Sequence, residues 1–194
     1  MFHRPIVRVG ANKSNNWSGY NQGTLEKGGT QFSSVDGTWT VPTARQHKAG
    51  EAEFSASWVG IGGGCVDASC SVTDATLIQP GLWSIDVQNQ TTGQTFNQTT
   101  PYTSTHATAE WIEETPVVID NSGTVTVGPL PALSTVGFDQ SQTNGKPAGL
   151  VASEQMQLID ANGAPLATPS APDPDADGFN VCSFALSCGA PSSS

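Results

Sequence analysis

The chain has 194 residues, enough for one domain with a sizeable core, and only 12% of them are charged. Seven Lys and Arg stand against 17 Asp and Glu, a formal charge of −10, and the scattered cations build no basic patch, which excludes a nucleic-acid binder. Apolar runs such as Pro116–Ile119 and Leu130–Leu133 are short, so nothing reads as a membrane span.

Met1–Gly10 carries His3, Arg4 and Arg8 but no apolar stretch of the kind a signal peptide needs, so an exported form has already lost its leader. Residues 1–15 read as an N-terminal extension. Period-two alternation with β-branched or aromatic residues then marks strands at Ser34–Val41, Ala56–Ile61, Thr76–Gln79, Ile85–Val87, Ala107–Glu114, Thr124–Val127 and Gln155–Ile159. Turn clusters part them: Lys27-Gly28-Gly29, Gly62-Gly63-Gly64, Asn121-Ser122-Gly123 and Asn162-Gly163. Pro165–Asp177 reads as a long loop, Gly178–Phe184 as the last strand, residues 185–194 as a tail fraying from Ala190 onward. No stretch holds helical periodicity for three turns. The pattern predicts an all-β fold, an antiparallel sandwich in preference to a barrel, over residues 16–184.

Four cysteines fall in two close pairs, Cys65/Cys70 and Cys182/Cys188, and no His is spaced to join them around a metal. Two local disulfides in an oxidising compartment is the preferred reading; buried free thiols are the alternative. In acid the positive charge is capped at 7 + 3 = 10 with the histidines, which limits the self-repulsion that unfolds proteins at low pH.

The segment Ala107–Pro116 (ATAEWIEETP) is unusual, because glutamate is depleted in strands and like charges on one face repel. Alternation puts Glu110, Ile112 and Glu114 on one face and Ala109, Trp111 and Glu113 on the other. A solvated edge strand is one explanation; a cleft strand presenting a perturbed glutamate is the other. In Leu77-Ile78-Gln79-Pro80-Gly81 the glutamine is either a polar strand end or a neutral donor usable as an oxyanion stabiliser in acid. Trp17, Trp39, Trp58, Trp83 and Trp111 suit a core or an aromatic-lined groove. There is no G-x-S-x-G, no H-E-x-x-H, no phosphate loop, and neither Asp-Thr-Gly nor Asp-Ser-Gly. Asp173, Asp175, Asp177 and Gly178 imitate the start of an EF-hand loop, but Phe184 stands where its bidentate glutamate belongs, so a surface turn is expected and no metal. Asn16-Trp-Ser, Asn89-Gln-Thr and Asn97-Gln-Thr fit the N-glycosylation pattern.

Seven segments in order resemble the glutamic peptidases, the eqolisin family of acid proteases: NWSGY from Asn16, VDGTWTVP from Val35, SWVGIGG from Ser57, LIQPG from Leu77, NQTTGQ from Asn89, AEWIEETP from Ala109 and GFNV from Gly178. The resemblance spans about Asn16 to Phe184. It implies two curved antiparallel sheets with a cleft on a concave face, and a catalytic pair of Gln79 and Glu114. By it Trp58 shapes the cleft, Trp17 and Trp39 lie close, and Glu110 joins them among the substrate-binding residues. It further implies a secreted, monomeric acid endopeptidase with a polypeptide substrate and no cofactor. In two places the sequence departs from the family. Gly62 or Gly63 stands where members often have an aspartate. Roughly two strands, at about five or six residues each, are missing between Gln79 and NQTTGQ. Their loss would leave an exposed edge, enlarge the cleft or abolish activity. Two other functions are open: a catalytically impaired sandwich that binds peptide or glycan, and a jelly roll hydrolysing sugars through Glu110 and Glu114, about 7 Å apart along the strand.

Overall fold

The structure is a computed structural model that describes residues 9–10, 12–23, 29, 31–65, 79–119 and 121–192. Its first half holds β1 (Val9–Gly10), β2 (Lys13–Ser14), β3 (Trp17–Gly23), β4 (Val35–Trp39), β5 (Ala44–Arg45), β6 (Ala56–Ile61), β7 (Gln79–Gln88) and β8 (Thr95–Ser104). Its second half holds β9 (Thr108–Glu114), β10 (Val117–Ile119), β11 (Val125–Val127), β12 (Ala132–Leu133), β13 (Val136–Thr143), β14 (Lys146–Pro147), β15 (Gln155–Ile159), β16 (Pro165–Pro169) and β17 (Phe179–Ser183). One 3₁₀ turn, Ala152–Glu154, is the sole helical element among the described residues. The fold is all-β.

One large curved sheet runs β14-β13-β17-β16-β15-β3-β9-β6, with β4 beside β13. Every pair along it is antiparallel, and β2 adds in parallel to β15, so part of the expected N-terminal extension belongs to the sheet. The sheet folds over on itself. Phe138, Phe179 and Val181 from the β13–β17 half meet Tyr20, Ala109, Trp111 and Leu158 from the β15–β9 half in one buried core. Ring centroids of Tyr20 and Phe179 lie 4.5 Å apart, and those of Phe138 and Phe179 lie 4.9 Å apart. Trp111 Nε1 donates to the Asp36 carbonyl at 2.8 Å, bringing β4 onto β9 and nearly closing the sheet. Tyr20 donates its hydroxyl to the Ser170 carbonyl at 2.7 Å, and burial pushes its phenol up to about 12.

The segment expected as a loop from Pro165 contains β16, an interior strand. Its prolines stand at its first and last positions, where the missing N–H costs the ladder least. The last strand is β17, as expected. Cys182 and Cys188 form a disulfide that ties the tail to it. Cys65 is disulfide-bonded as well; Cys70, Leu77 and Ile78 lie outside the described residues. Asn144-Gly145 turns β13 into β14 with both φ values positive, +53° and +71°, the conformation that suits tight hairpins and that Asn and Gly adopt at least cost.

Where the sequence places the missing strands, β7 and β8 pair only with each other, from Gln79↔Ser104 to Gln88↔Thr95. Pro101 sits midway along β8 without breaking a ladder, because β8 has no second neighbour among the described strands. The hairpin is open to solvent: Leu82 is 76% exposed and Phe96 53%.

Candidate active site

β9 is not a solvated edge strand. It lies between β3 and β6, and all seven of its residues are buried. The registers Trp17↔Glu114↔Ala56, Gly19↔Ile112↔Trp58 and Asn21↔Glu110↔Gly60 define one face. On it Trp17, Ile112, Cys65 and Met156 cluster with half-buried Trp58. Gly19 opens this face: its φ is +147°, and a Cβ there would stand 2.0 Å from the Trp111 carbonyl oxygen, so no larger residue fits between β3 and β9.

Glu114 lies at the Ala56 end of that face and is 4% exposed. Trp58 Nε1 donates to its Oε2 at 2.9 Å, and Asn16 Nδ2 to its Oε1 at 3.5 Å. Trp17 meets Trp58 edge-on, with centroids 5.0 Å apart at 77°. The Trp17 indole N–H is buried and has no hydrogen-bond partner among the described residues. A carboxylate flanked by two neutral donors and walled by two indoles is equipped to accept a proton from a water molecule.

Glu113, next in sequence, faces the opposite way. The Ser57 hydroxyl donates to its Oε2 at 2.5 Å. Burial pushes its carboxyl above the usual range; the Ser57 and Ser55 hydroxyls partly offset this, and the neighbouring Glu114 charge adds to it. Two adjacent glutamates therefore sit in unlike surroundings on opposite faces of one strand.

The other sequence-derived residues divide. Trp17 and Trp58 join Glu114. Glu110 shares the face but is wholly buried, with the Gly64 backbone packed onto its carboxyl and onto Asn21. Asn21 Nδ2 holds that covering segment by donating to the Cys65 carbonyl at 3.0 Å. Trp39 lies elsewhere, opposite Phe138 on β13, where with Ser55 and Ser57 it lines a shallow recess of about 280 Å³. Gln79 opens β7 opposite Ser104, whose Oγ is 3.0 Å from where Gly62 would carry a Cβ. Gly62 follows the last residue of β6 and stands six residues from Ala56, on the order of 20 Å in extended chain, so the Gln79 backbone is at the opposite end of this face from Glu114.

Asn16 and Ser14 went unnoticed as site residues. Asn16 reads from sequence as a motif member and a glycosylation candidate, but it is wholly buried, which removes it as an accessible acceptor in the folded chain. The aspartates that imitate an EF-hand loop do not form a simple surface turn: Asp173 is buried, and with Asp177 and Asp139 of β13 it offers three oxygens within 4.8 Å of one another, a geometry able to hold a cation. Partial burial, then the charges of Asp175, Asp173 and Asp139, raise Asp177 above the usual carboxylate range. Asp173 Oδ1 is already held by the N–H groups of Asp177 and Gly178, at 3.1 Å each.

Residues 15–86 match the model of the Peptidase A4 family. The matched stretch covers about a third of the chain and takes in β3, β4, β6 and most of β7, hence Asn16, Trp17, Trp39, Trp58 and Gln79; it ends before β9. The match supports a relationship with that family, and with it a peptidase-type function on a polypeptide substrate. No curated protein matches the chain, nor does any solved structure. No helix among the described residues is long and apolar enough to cross a membrane.

Proposed function

We propose that the protein is an acid endopeptidase in which Glu114 is the general base and acid. The observation that carries this reading is the Glu114 carboxylate, buried and held by Trp58 and Asn16 against Trp17; β3 and β6, which flank its strand, lie within the stretch matched to the peptidase family. As water adds to the peptide carbonyl carbon, Glu114 takes the water's proton. As the C–N bond breaks, it returns that proton to the leaving nitrogen, with no covalent enzyme intermediate. Burial raises the Glu113 carboxyl above the usual range, which favours its neutral form beside the reacting carboxylate. The motif assigns the oxyanion role to Gln79, whose backbone lies at the opposite end of this face from Glu114; the Trp17 N–H, buried beside Glu114, is the donor at hand for a substrate carbonyl. The Cys182–Cys188 disulfide and the acidic composition support a protein working outside the cell in an acidic medium.

Hydrolysis of a denatured protein between pH 2 and 6 tests the reading. Glu114→Gln, checked as folded by circular dichroism, should lose about 10²-fold or more of the activity, and undiminished hydrolysis refutes the assignment. Gln79→Ala tests the role the motif assigns to that residue, and a comparable loss would support it. Full activity in that variant transfers the oxyanion role to another donor.

One observation favours a second reading, a sandwich that binds extended peptide or glycan without cleaving it: the hairpin base bearing Gln79 stands at the Gly62 end of the groove. Saturable peptide or oligosaccharide binding with no turnover across acidic pH would decide for it.

A further inference from the structure

We propose that Asn16 is a positioning residue for Glu114, with its side-chain amide locked donor-outward by Ser14; the inference rests on Glu114 being the reacting carboxylate. Hydrogen-bond capacity fixes the orientation of this amide. A serine hydroxyl offers one proton and two lone pairs. Ser14 Oγ accepts the backbone N–H of Asn16 at 3.1 Å and that of Trp17 at 3.0 Å, which fills both lone pairs. Its one proton goes to Asn16 Oδ1 at 2.9 Å. The carboxamide can then be oriented in one way only, with Oδ1 toward Ser14 and the NH₂ group toward Glu114. The other orientation would set Nδ2 against a hydroxyl with no lone pair left and Oδ1 against a carboxylate. Backbone pairing fixes the same residue from behind, since the Thr115 N–H donates to the Asn16 carbonyl at 2.9 Å.

Ser14, Asn16 and Glu114 are 1%, 0% and 4% exposed, so water does not compete for these bonds. Trp58 donates to Oε2 and Asn16 to Oε1, both neutral donors. The 3.5 Å separation is long; contacts of this kind tighten when substrate binds. On this face β3 presents Trp17, Gly19 and Asn21, and β6 presents Ala56, Trp58 and Gly60, none of them ionisable. Among the described residues, the other titratable groups on β9 are Glu110 on the same face and Glu113 on the opposite one, and β2 carries the exposed Lys13. Asn16 thus fixes the plane of the Glu114 carboxyl group and presents a donor to Oε1.

Two variants test this, Asn16→Asp and Ser14→Ala. Each is followed by the pH profile of kcat/KM on a fluorogenic peptide and, independently of activity, by ¹³C NMR titration of the Glu114 side chain. Asn16→Asp replaces the donor with an acid of the same shape. Its acid limb and the Glu114 resonance should both move to higher pH by about one unit, with kcat falling and KM little changed. Ser14→Ala frees the amide to turn and should move both the same way by about half as much. A purely structural role would lower the melting temperature and leave both pH midpoints in place. Folded variants with unmoved midpoints overturn the proposal, and Ser14→Ala decides alone if Asn16→Asp does not fold. If Glu114→Gln is inactive and neither midpoint moves, this inference fails and the peptidase reading stands. If Glu114→Gln stays active, that reading fails, and the NMR shift still reports whether Asn16 holds the carboxylate.

Discussion

Glu113 makes the folded protein's stability depend on pH in a direction opposite to that of most carboxylates. Burial raises its carboxyl, with Ser57 and Ser55 opposing and the Glu114 charge adding to the rise. The unfolded chain therefore releases this proton near the ordinary glutamate value of about 4.3, while the folded chain keeps it to higher pH. Between those two values the native state binds more protons than the unfolded state, so stability falls as pH rises. The slope is at most about 1.4 kcal/mol per pH unit, and it stops once the folded carboxyl ionises. Glu113→Gln keeps the shape and the acceptor for Ser57 but cannot ionise. In thermal or urea unfolding from pH 3 to 7 the two proteins should run in parallel below about pH 4. The variant should then gain on the wild type, with the gap in melting temperature widening by about 3–5 °C per pH unit for a domain of this size. Asp177, also raised, contributes equally to both proteins and cancels. Curves that stay parallel to pH 7, or a wild type that gains on the variant, would refute the reasoning.

Trp58→Phe keeps the ring but removes the donor to Glu114; peptide hydrolysis in acid should fall about 10- to 100-fold, the worth of one hydrogen bond to a charged group, with a melting temperature close to wild type. Gly19→Ala puts a methyl group 2.0 Å from the Trp111 carbonyl at a φ that disfavours side chains, and chemical denaturation should show a loss of about 3 kcal/mol or more. Replacing Cys182 and Cys188 with Ser opens a short loop next to the tail; stability should drop by about 2 kcal/mol, and limited proteolysis should trim the chain after β17 first.

Ala56–Ile61 and Gln155–Ile159 match the structure residue for residue; the β-branched and aromatic residues of the first and the alternating burial of the second made them legible. Strands bearing disruptive residues were not legible. β16 carries prolines at both ends. In β13 the alternation breaks at a bulge between Asp139 and Gln142, where Gln140 takes a φ of +54°. β3 reads as polar, WSGYNQG, yet is buried along its whole length, because its polar groups find partners that only tertiary pairing supplies: Gln22 Nε2 donates to the Ala148 carbonyl at 2.8 Å and Asn21 to Cys65. For the same reason Asn16 and Ser14 were hidden, since their relation to Glu114 spans 98 residues of sequence.

The three glutamates of β9 are where local rules and tertiary structure conflict most. Charges on a strand argue for solvent, and a central strand argues against charge; such conflicts persist at functional sites when neighbouring groups resolve them. Here the resolution differs for each residue. Glu110 is sealed beneath Gly64, Glu113 meets hydroxyls inside the sandwich, and Glu114 meets N–H donors of Trp58 and Asn16 beside the two indoles. An edge strand would need none of these partners. The donors on Glu114 come from chain segments on both sides of β9, and the packing of β3 and β6 against that strand brings them together. The groove chemistry and the all-β fold therefore depend on the same pairings: a change that slips β9 by one residue would exchange its two faces, turning Glu113 toward the indoles and Glu114 into the core.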